Sequence, residues 1–276
     1  MPAEPRPDGW SLLESGPSEA DHTVLLLPGA FCTAAFYEDV LAEPSRAQAP
    51  VRFVAATPPG FGGNPCPNDV SVEGYARLVG SLAAELGCDV LVGHSYFANV
   101  AIELAATGGF SGRLVLLSPC FSSRDEERDF RMLNRVAQVP GLGRVLFALA
   151  PMTFSSSMKG RFPEARHDDL VAEMKTSDMG VMRRTLHPYF EHMDRYGSLV
   201  SPLCDSGVRT WVVRGDRDEI GLSDEERRGL EACPNVTLLT VPDAAHFIMT
   251  DRPDRTAELL LEIVGAPTDE AQFRTR

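Results

Sequence analysis

The amino-acid sequence predicts an α/β fold: a doubly wound, mostly parallel sheet with an inserted helical cap. Three observations predict it. Short runs rich in β-branched residues, apolar on both alternating faces, recur along the chain, as strands covered on both sides require. Segments of helical character lie between these runs, and strand–helix alternation is the pattern of parallel crossover units. One stretch, residues 121–200, breaks the alternation and shows helical character only.

Taken in order, the expected strands are residues 23–27, 51–56, 89–92, 113–117, 210–213 and 236–241. Helices are expected at 33–41, 72–86, 96–107, 223–232 and 253–264. Pro253 at a helix start and Gly265 at its end follow the usual capping asymmetry. The tail, residues 266–276, is expected to fray. Residues 1–120 and 201–276 then form one core, and 121–200 form the cap, with amphipathic stretches at 128–137 and 168–175. Seven of the eight internal methionines (132, 152, 158, 174, 179, 182 and 193) sit in that cap. Methionine fills irregular apolar space and re-packs easily, which suits a lid over a variable apolar ligand. It equally suits a loosely packed helical unit that uses Met as filler.

Composition narrows the function classes. A chain of 276 residues, 43% apolar and 24% charged, can bury a substantial core, which excludes disorder and collagen-like repeats. The balance of 26 basic and 39 acidic residues gives a net charge of -13, so the average surface repels phosphate backbones and anionic lipid. Neither nucleic acid nor membrane is an expected partner; a small-molecule substrate is. The start of the chain has no apolar h-region, and no run approaches the ~18 apolar residues of a membrane helix. A cytoplasmic protein, monomeric or homodimeric, is the expectation. The 24 arginines against 2 lysines suggest a bacterial source by composition alone. Six cysteines at 32, 66, 88, 120, 204 and 233 lack any close spacing, so they are read as reduced thiols.

The chemistry-bearing residues cluster after the expected strands. Ser95, in Val92-Gly93-His94-Ser95-Tyr96-Phe97, follows a buried strand and precedes an apolar helix, so its hydroxyl projects from the carboxyl edge of the sheet. Serine is a weak nucleophile until a base takes its proton, and the base needs a third group to orient it. His246 lies after the last strand, and Asp216 and Asp218 lie after the preceding one. His94 reads as a buried elbow residue rather than a second base. His187 and His192 are five apart without a zinc-helix pattern, and the Gly-x-Gly-x-x-Gly fingerprint of dinucleotide binding is absent, so neither metal nor cofactor is expected. Asp125-Glu126-Glu127 reads as a solvated acidic face.

These residues resemble the α/β-hydrolase fold family with a helical cap, the group of Ser-Asp-His esterases, thioesterases, carbon–carbon hydrolases and cofactor-free haloperoxidases. The resemblance spans about residues 9–264. It rests on Leu25-Leu26-Leu27-Pro28-Gly29-Ala30-Phe31, the loop Pro59-Gly60-Phe61-Gly62-Gly63, the elbow at Ser95, the run from Gly215 to Asp218, and His246-Phe247. It implies Ser95 as nucleophile, His246 as base and Asp218 as acid, with the Ala30 and Tyr96 N–H groups forming the oxyanion hole. Phe31, Phe97, Met132, Met152 and Met182 are the expected pocket residues. Two departures stand out: Pro28 replaces the family's usual His, and Phe97 replaces a small elbow residue.

The expected function is hydrolysis of an ester or thioester of a small, largely apolar molecule. The altered elbow motivates two alternatives: carbon–carbon cleavage or natural-product cyclisation on the same triad, and a catalytically silent ligand-binding protein on a hydrolase fold.

Overall fold

A computed structural model describes residues 6, 8–43 and 50–265. The expectation of fraying at 266–276 lies outside the described residues. Seven strands form one sheet: β1 (Ser11–Ser15), β2 (His22–Leu27), β3 (Val51–Thr57), β4 (Val90–His94), β5 (Arg113–Leu117), β6 (Thr210–Gly215) and β7 (Val236–Val241). Their order is β1-β3-β2-β4-β5-β6-β7, with β1 antiparallel to β3 and every other pairing parallel. The six expected strands are all present. The sequence reading missed β1, an edge strand with only Leu12 and Leu13 as apolar residues and none of its positions fully buried.

The helices are α1 (Glu38–Ala42), α2 (Val72–Leu86), α3 (Tyr96–Ala106), α4 (Arg128–Ala137), α5 (Leu142–Leu149), α6 (Phe154–Ser157), α7 (His167–Thr176), α8 (Met179–Tyr196), α9 (Val200–Asp205), α10 (Asp224–Ala232), α11 (Ile248–Asp251) and α12 (Pro253–Gly265). Local chemistry explains several ends. The Ser71 hydroxyl accepts from the Gly74 N–H to start α2, and Gly87 closes that helix in the left-handed region. Ser223 and Glu226 form a reciprocal capping box at the start of α10. One group of helices, α1 with α11 and α12, and another, α2 with α3, α9 and α10, cover the sheet. Strands β2 and β4 are consequently buried almost throughout.

Between Phe121 and Val200 there are helices α4 to α8 and no strand. Ser177 ties this segment to the core: its hydroxyl donates to the Phe31 carbonyl at 3.4 Å and accepts from the Gly62 N–H at 3.2 Å. Arg166 adds ion pairs to Glu38 and Asp39, each at 3.0 Å.

One expectation is corrected. Cys204 and Cys233 form a disulfide, their Cα atoms 5.6 Å apart across 29 residues of sequence. Linear spacing could not reveal it, because the pair is brought together by α9 and α10 lying side by side. Cys32, Cys66, Cys88 and Cys120 are free. No described helix is long and apolar enough to cross a membrane.

Strand β4 and helix α3 approach closely at Gly93, where an added Cβ would lie 2.4 Å from the Phe97 carbonyl oxygen. Gly93→Ala should therefore lower stability by about 1–3 kcal/mol, read as a lower urea midpoint at unchanged m-value. An unaltered midpoint would mean that the β4–α3 turn is looser than described.

Candidate active site

Ser95 sits between β4 and α3 with φ 50° and ψ −115°, a left-handed conformation that L-residues rarely adopt. The turn is held on both sides: the Ser95 N–H donates to the Leu117 carbonyl on β5 and the Ser95 carbonyl accepts from Ala98, each at 2.9 Å. This geometry lifts the hydroxyl clear of the sheet edge and leaves the start of α3 behind it.

The neighbouring strands deliver the other two groups. Asp218 follows β6 and His246 follows β7. Their loops can meet because Gly215 has no side chain; an added Cβ would lie 2.1 Å from the Ala244 carbonyl oxygen. His246 Nε2 is 3.1 Å from Ser95 Oγ, and His246 Nδ1 is 3.1 Å from Asp218 Oδ1. With Nδ1 carrying the proton, the imidazole donates to Asp218 and leaves Nε2 free to accept from the serine. Asp218 Oδ1 also accepts from the Ile220 N–H at 3.1 Å. Asp216, the other candidate acid, instead accepts from the Ala244 N–H at 3.3 Å and has a half-exposed side chain.

His94 is a buried elbow residue with a positioning task. Its Nε2 donates to the His246 carbonyl at 3.0 Å, pinning the loop that carries His246. Burial lowers its pKa to about 3, so it stays neutral. Gly29 lets the β2 loop approach this elbow, since an added Cβ would meet His94 Nδ1 at 2.7 Å. The next residues turn sharply, with Phe31 at φ 65°. Among the described residues, the Ala30 and Tyr96 N–H groups donate to no protein acceptor.

A cavity of about 410 Å³ rises from Ser95 and His246 beneath the 121–200 segment. Its apolar wall includes Phe31, Phe130, Leu133, Phe147, Phe154, Met158, Met174 and Phe247. Phe31 meets Phe154 edge-on at 5.8 Å. The other expected pocket residues are placed elsewhere. Met132 and Met152 are 64% and 79% exposed on the outside of the segment, and Met182 is buried in α8, because helical register sends these positions away from the cavity. Phe97 is fully buried against Phe61 and Tyr75, at 5.6 and 5.4 Å between ring centroids. It does not point outward, and the close contact at the elbow is between Gly93 and the Phe97 backbone.

The acidic run is a second correction. Glu126 is not solvated: it is 6% exposed, lines the cavity, and accepts from the Tyr189 hydroxyl at 2.7 Å. Glu127 forms a two-pronged ion pair with Arg161, at 2.7 and 2.9 Å, on the same wall. The sequence offered one usable sign, the position of the pair just before the amphipathic stretch at 128–137, but their inward direction depends on the loop's path.

A model of the alpha/beta hydrolase family matches residues 24–259. The chain belongs to the alpha/beta hydrolase family. Solved structures share the fold of this hydrolase. A thermophilic esterase from Thermogutta terrifontis superposes with a TM-score of 0.73 at 18% identity, covering 93% of each chain. An N-acyl homoserine lactonase bound to N-hexanoyl homoserine lactone gives 0.70 at 17% identity, covering 94% of this chain and 96% of that one. A bromoperoxidase from Bacillus anthracis gives 0.71 at 14% identity, covering 93% and 95%. At these identities the likeness is one of fold. A search of curated proteins finds no sequence match.

Charges in the hydrolase site are mutually tuned. Burial opposes the charged form of Asp218, yet the hydrogen bond and charge of His246, with Arg214 and the Ile220 N–H, hold its pKa below the ordinary carboxylate value. Burial likewise opposes the His246 imidazolium, but Asp218, with Glu126 and Glu127 behind it, raises its pKa above 6.5. Glu126 is shifted upward, chiefly by burial. Because the proton is held by a negative partner, the His246 ring should titrate above pH 6.5 in an NMR pH series. Asp218→Asn should carry that midpoint down, since burial then dominates. A midpoint unmoved by the substitution would deny the coupling.

Proposed function

We propose that this chain is a serine hydrolase that cleaves an ester or thioester of a small, largely apolar molecule. One observation carries the proposal: Ser95 Oγ, both nitrogens of His246, and Asp218 stand in a relay with 3.1 Å steps on the floor of an apolar cavity. Ser95 Oγ attacks the substrate carbonyl while His246 Nε2 takes its proton, and Asp218 stabilises the imidazolium. The developing oxyanion is received by the Ala30 and Tyr96 N–H groups. Collapse of the tetrahedral intermediate breaks the bond to the leaving group, to which His246 returns the proton. A water, deprotonated by the same nitrogen, then attacks the acyl-enzyme, releases the acid and restores Ser95.

The cavity's shape and charge limit the substrate. About 410 Å³ lined by five phenylalanines and two methionines suits a medium-length aliphatic or an aromatic group. The buried Glu126 carboxyl disfavours a negative charge on that group, whereas Glu127 is paired with Arg161. The names of two solved neighbours, an esterase and an N-acyl homoserine lactonase, agree with this chemistry. Phe97 motivated a silent site, but its ring contributes to packing beneath the elbow and not to the cavity wall.

A fluorophosphonate should label Ser95 stoichiometrically, and p-nitrophenyl esters should be turned over. Ser95→Ala should abolish labelling and reduce kcat on the order of 10⁴-fold or more, with Ser95→Ala/His246→Ala hardly worse, since members of one catalytic unit are not additive. Full turnover by Ser95→Ala, or no labelling of the wild type, would sink the mechanism. Met158→Trp should fill the cavity and move the acyl-length optimum to shorter esters. An optimum that does not shift would place the acyl group elsewhere.

A further inference from the structure

The outer surface of the 121–200 segment carries a face that the catalytic relay does not use. Helix α5 buries Phe147 and sets Leu142, Val145, Leu146 and Leu149, at i, i+3, i+4 and i+7, on its exposed side. Val139 before it and Met152 after it extend this apolar stripe. Among the described residues, Tyr196 is the one exposed large apolar side chain outside the stretch from Met132 to Met152. Such concentration marks an interaction surface.

The charge of the same stretch is unlike that of the rest of the chain. Residues 130–163 contain Arg131, Arg135, Arg144, Lys159 and Arg161 and no Asp or Glu, in a protein of net charge -13. Arg135 and Arg144 are exposed and form no ion pair among the described residues. Beside the stripe, Arg144, Arg183 and Arg184 line a second cavity of about 540 Å³ whose apolar rim includes Val139 and Pro140.

We propose that this face docks on an anionic phospholipid bilayer, with the α5 stripe entering the headgroup–acyl boundary and the arginine-lined cavity receiving a lipid phosphate. An apolar helical face flanked by basic residues is the combination that binds such interfaces. A second copy of the chain is the poorer occupant, because a two-fold interface sets a patch against itself and would place arginine against arginine. The acidic balance of the whole chain does not prevent docking, because beyond a Debye length of about 8 Å the distant carboxylates are screened. Phe147 and Ala150 of the same segment wall the catalytic cavity, so docking would lay the cavity's cover against the membrane.

The test is vesicle flotation of the full chain, whose readout is binding and is independent of turnover. The chain should float with vesicles of phosphatidylcholine mixed with phosphatidylglycerol and remain in solution with phosphatidylcholine alone. Leu146→Glu/Leu149→Glu should abolish flotation, and Arg135→Gln/Arg144→Gln should raise the lipid concentration needed by about tenfold or more. All four positions are exposed, so both variants should keep the wild-type Tm. The proposal is overturned if the wild type does not float, floats equally on neutral vesicles, or floats regardless of the leucine substitutions. A wild-type dimer that Leu146→Glu/Leu149→Glu splits, without flotation, would assign the face to a second copy. Stabilisation by inorganic phosphate without flotation would reduce the cavity to a free-anion site.

Discussion

The arrangement of the site depends on how closely three loops can approach at the carboxyl edge of the parallel sheet. Backbone meets backbone at Gly93 against Phe97 and at Gly215 against Ala244, Gly29 meets the His94 ring, and in each place a Cβ would overlap its neighbour. Parallel strands all end on one edge, so residues distant in sequence converge there without any dedicated contact between them. The left-handed backbone at Ser95 is kept by hydrogen bonds to β5 and from α3, and the His94 to His246 bond locks the His246 loop to the elbow. Rigidity at the elbow is therefore a property of the sheet, and the serine–histidine distance follows from it.

Electrostatics adds a second layer. Burial alone would favour a neutral His246 and a protonated Asp218, but each is the other's principal charge partner, which lowers the Asp218 pKa and raises that of His246. Glu126 has its own burial and its own hydrogen bond from Tyr189, so the negative potential at His246 comes from more than Asp218. The same wall that supplies apolar volume thus carries a buried carboxyl.

Much of this was legible in the sequence, and the reason is locality. A strand buried on both faces reads as a short apolar run, and a residue just past such a run sits at the sheet edge whatever the rest of the fold does. That logic placed Ser95, Asp218 and His246 on neighbouring loops, and the structure brings them within hydrogen-bonding distance. It failed for β1, whose pattern is too short and too polar to register, and for the disulfide between Cys204 and Cys233, which depends on two helices lying side by side.

The sequence by itself determined the order of six of the seven strands and of the longer helices between them, the strand-free character of residues 121–200, and which side chains stand at the strand ends, because these follow from periodicity and from neighbours a few residues away. Only the tertiary structure decided which residues of the 121–200 segment face the cavity. The difference between an inward Met158, just after α6, and an outward Met152, just before it, rests on packing that composition does not carry. It likewise decided that Phe97 turns beneath the elbow and that Glu126 turns inward, since the direction of a side chain in a loop or at a helix start is set by the surfaces it meets.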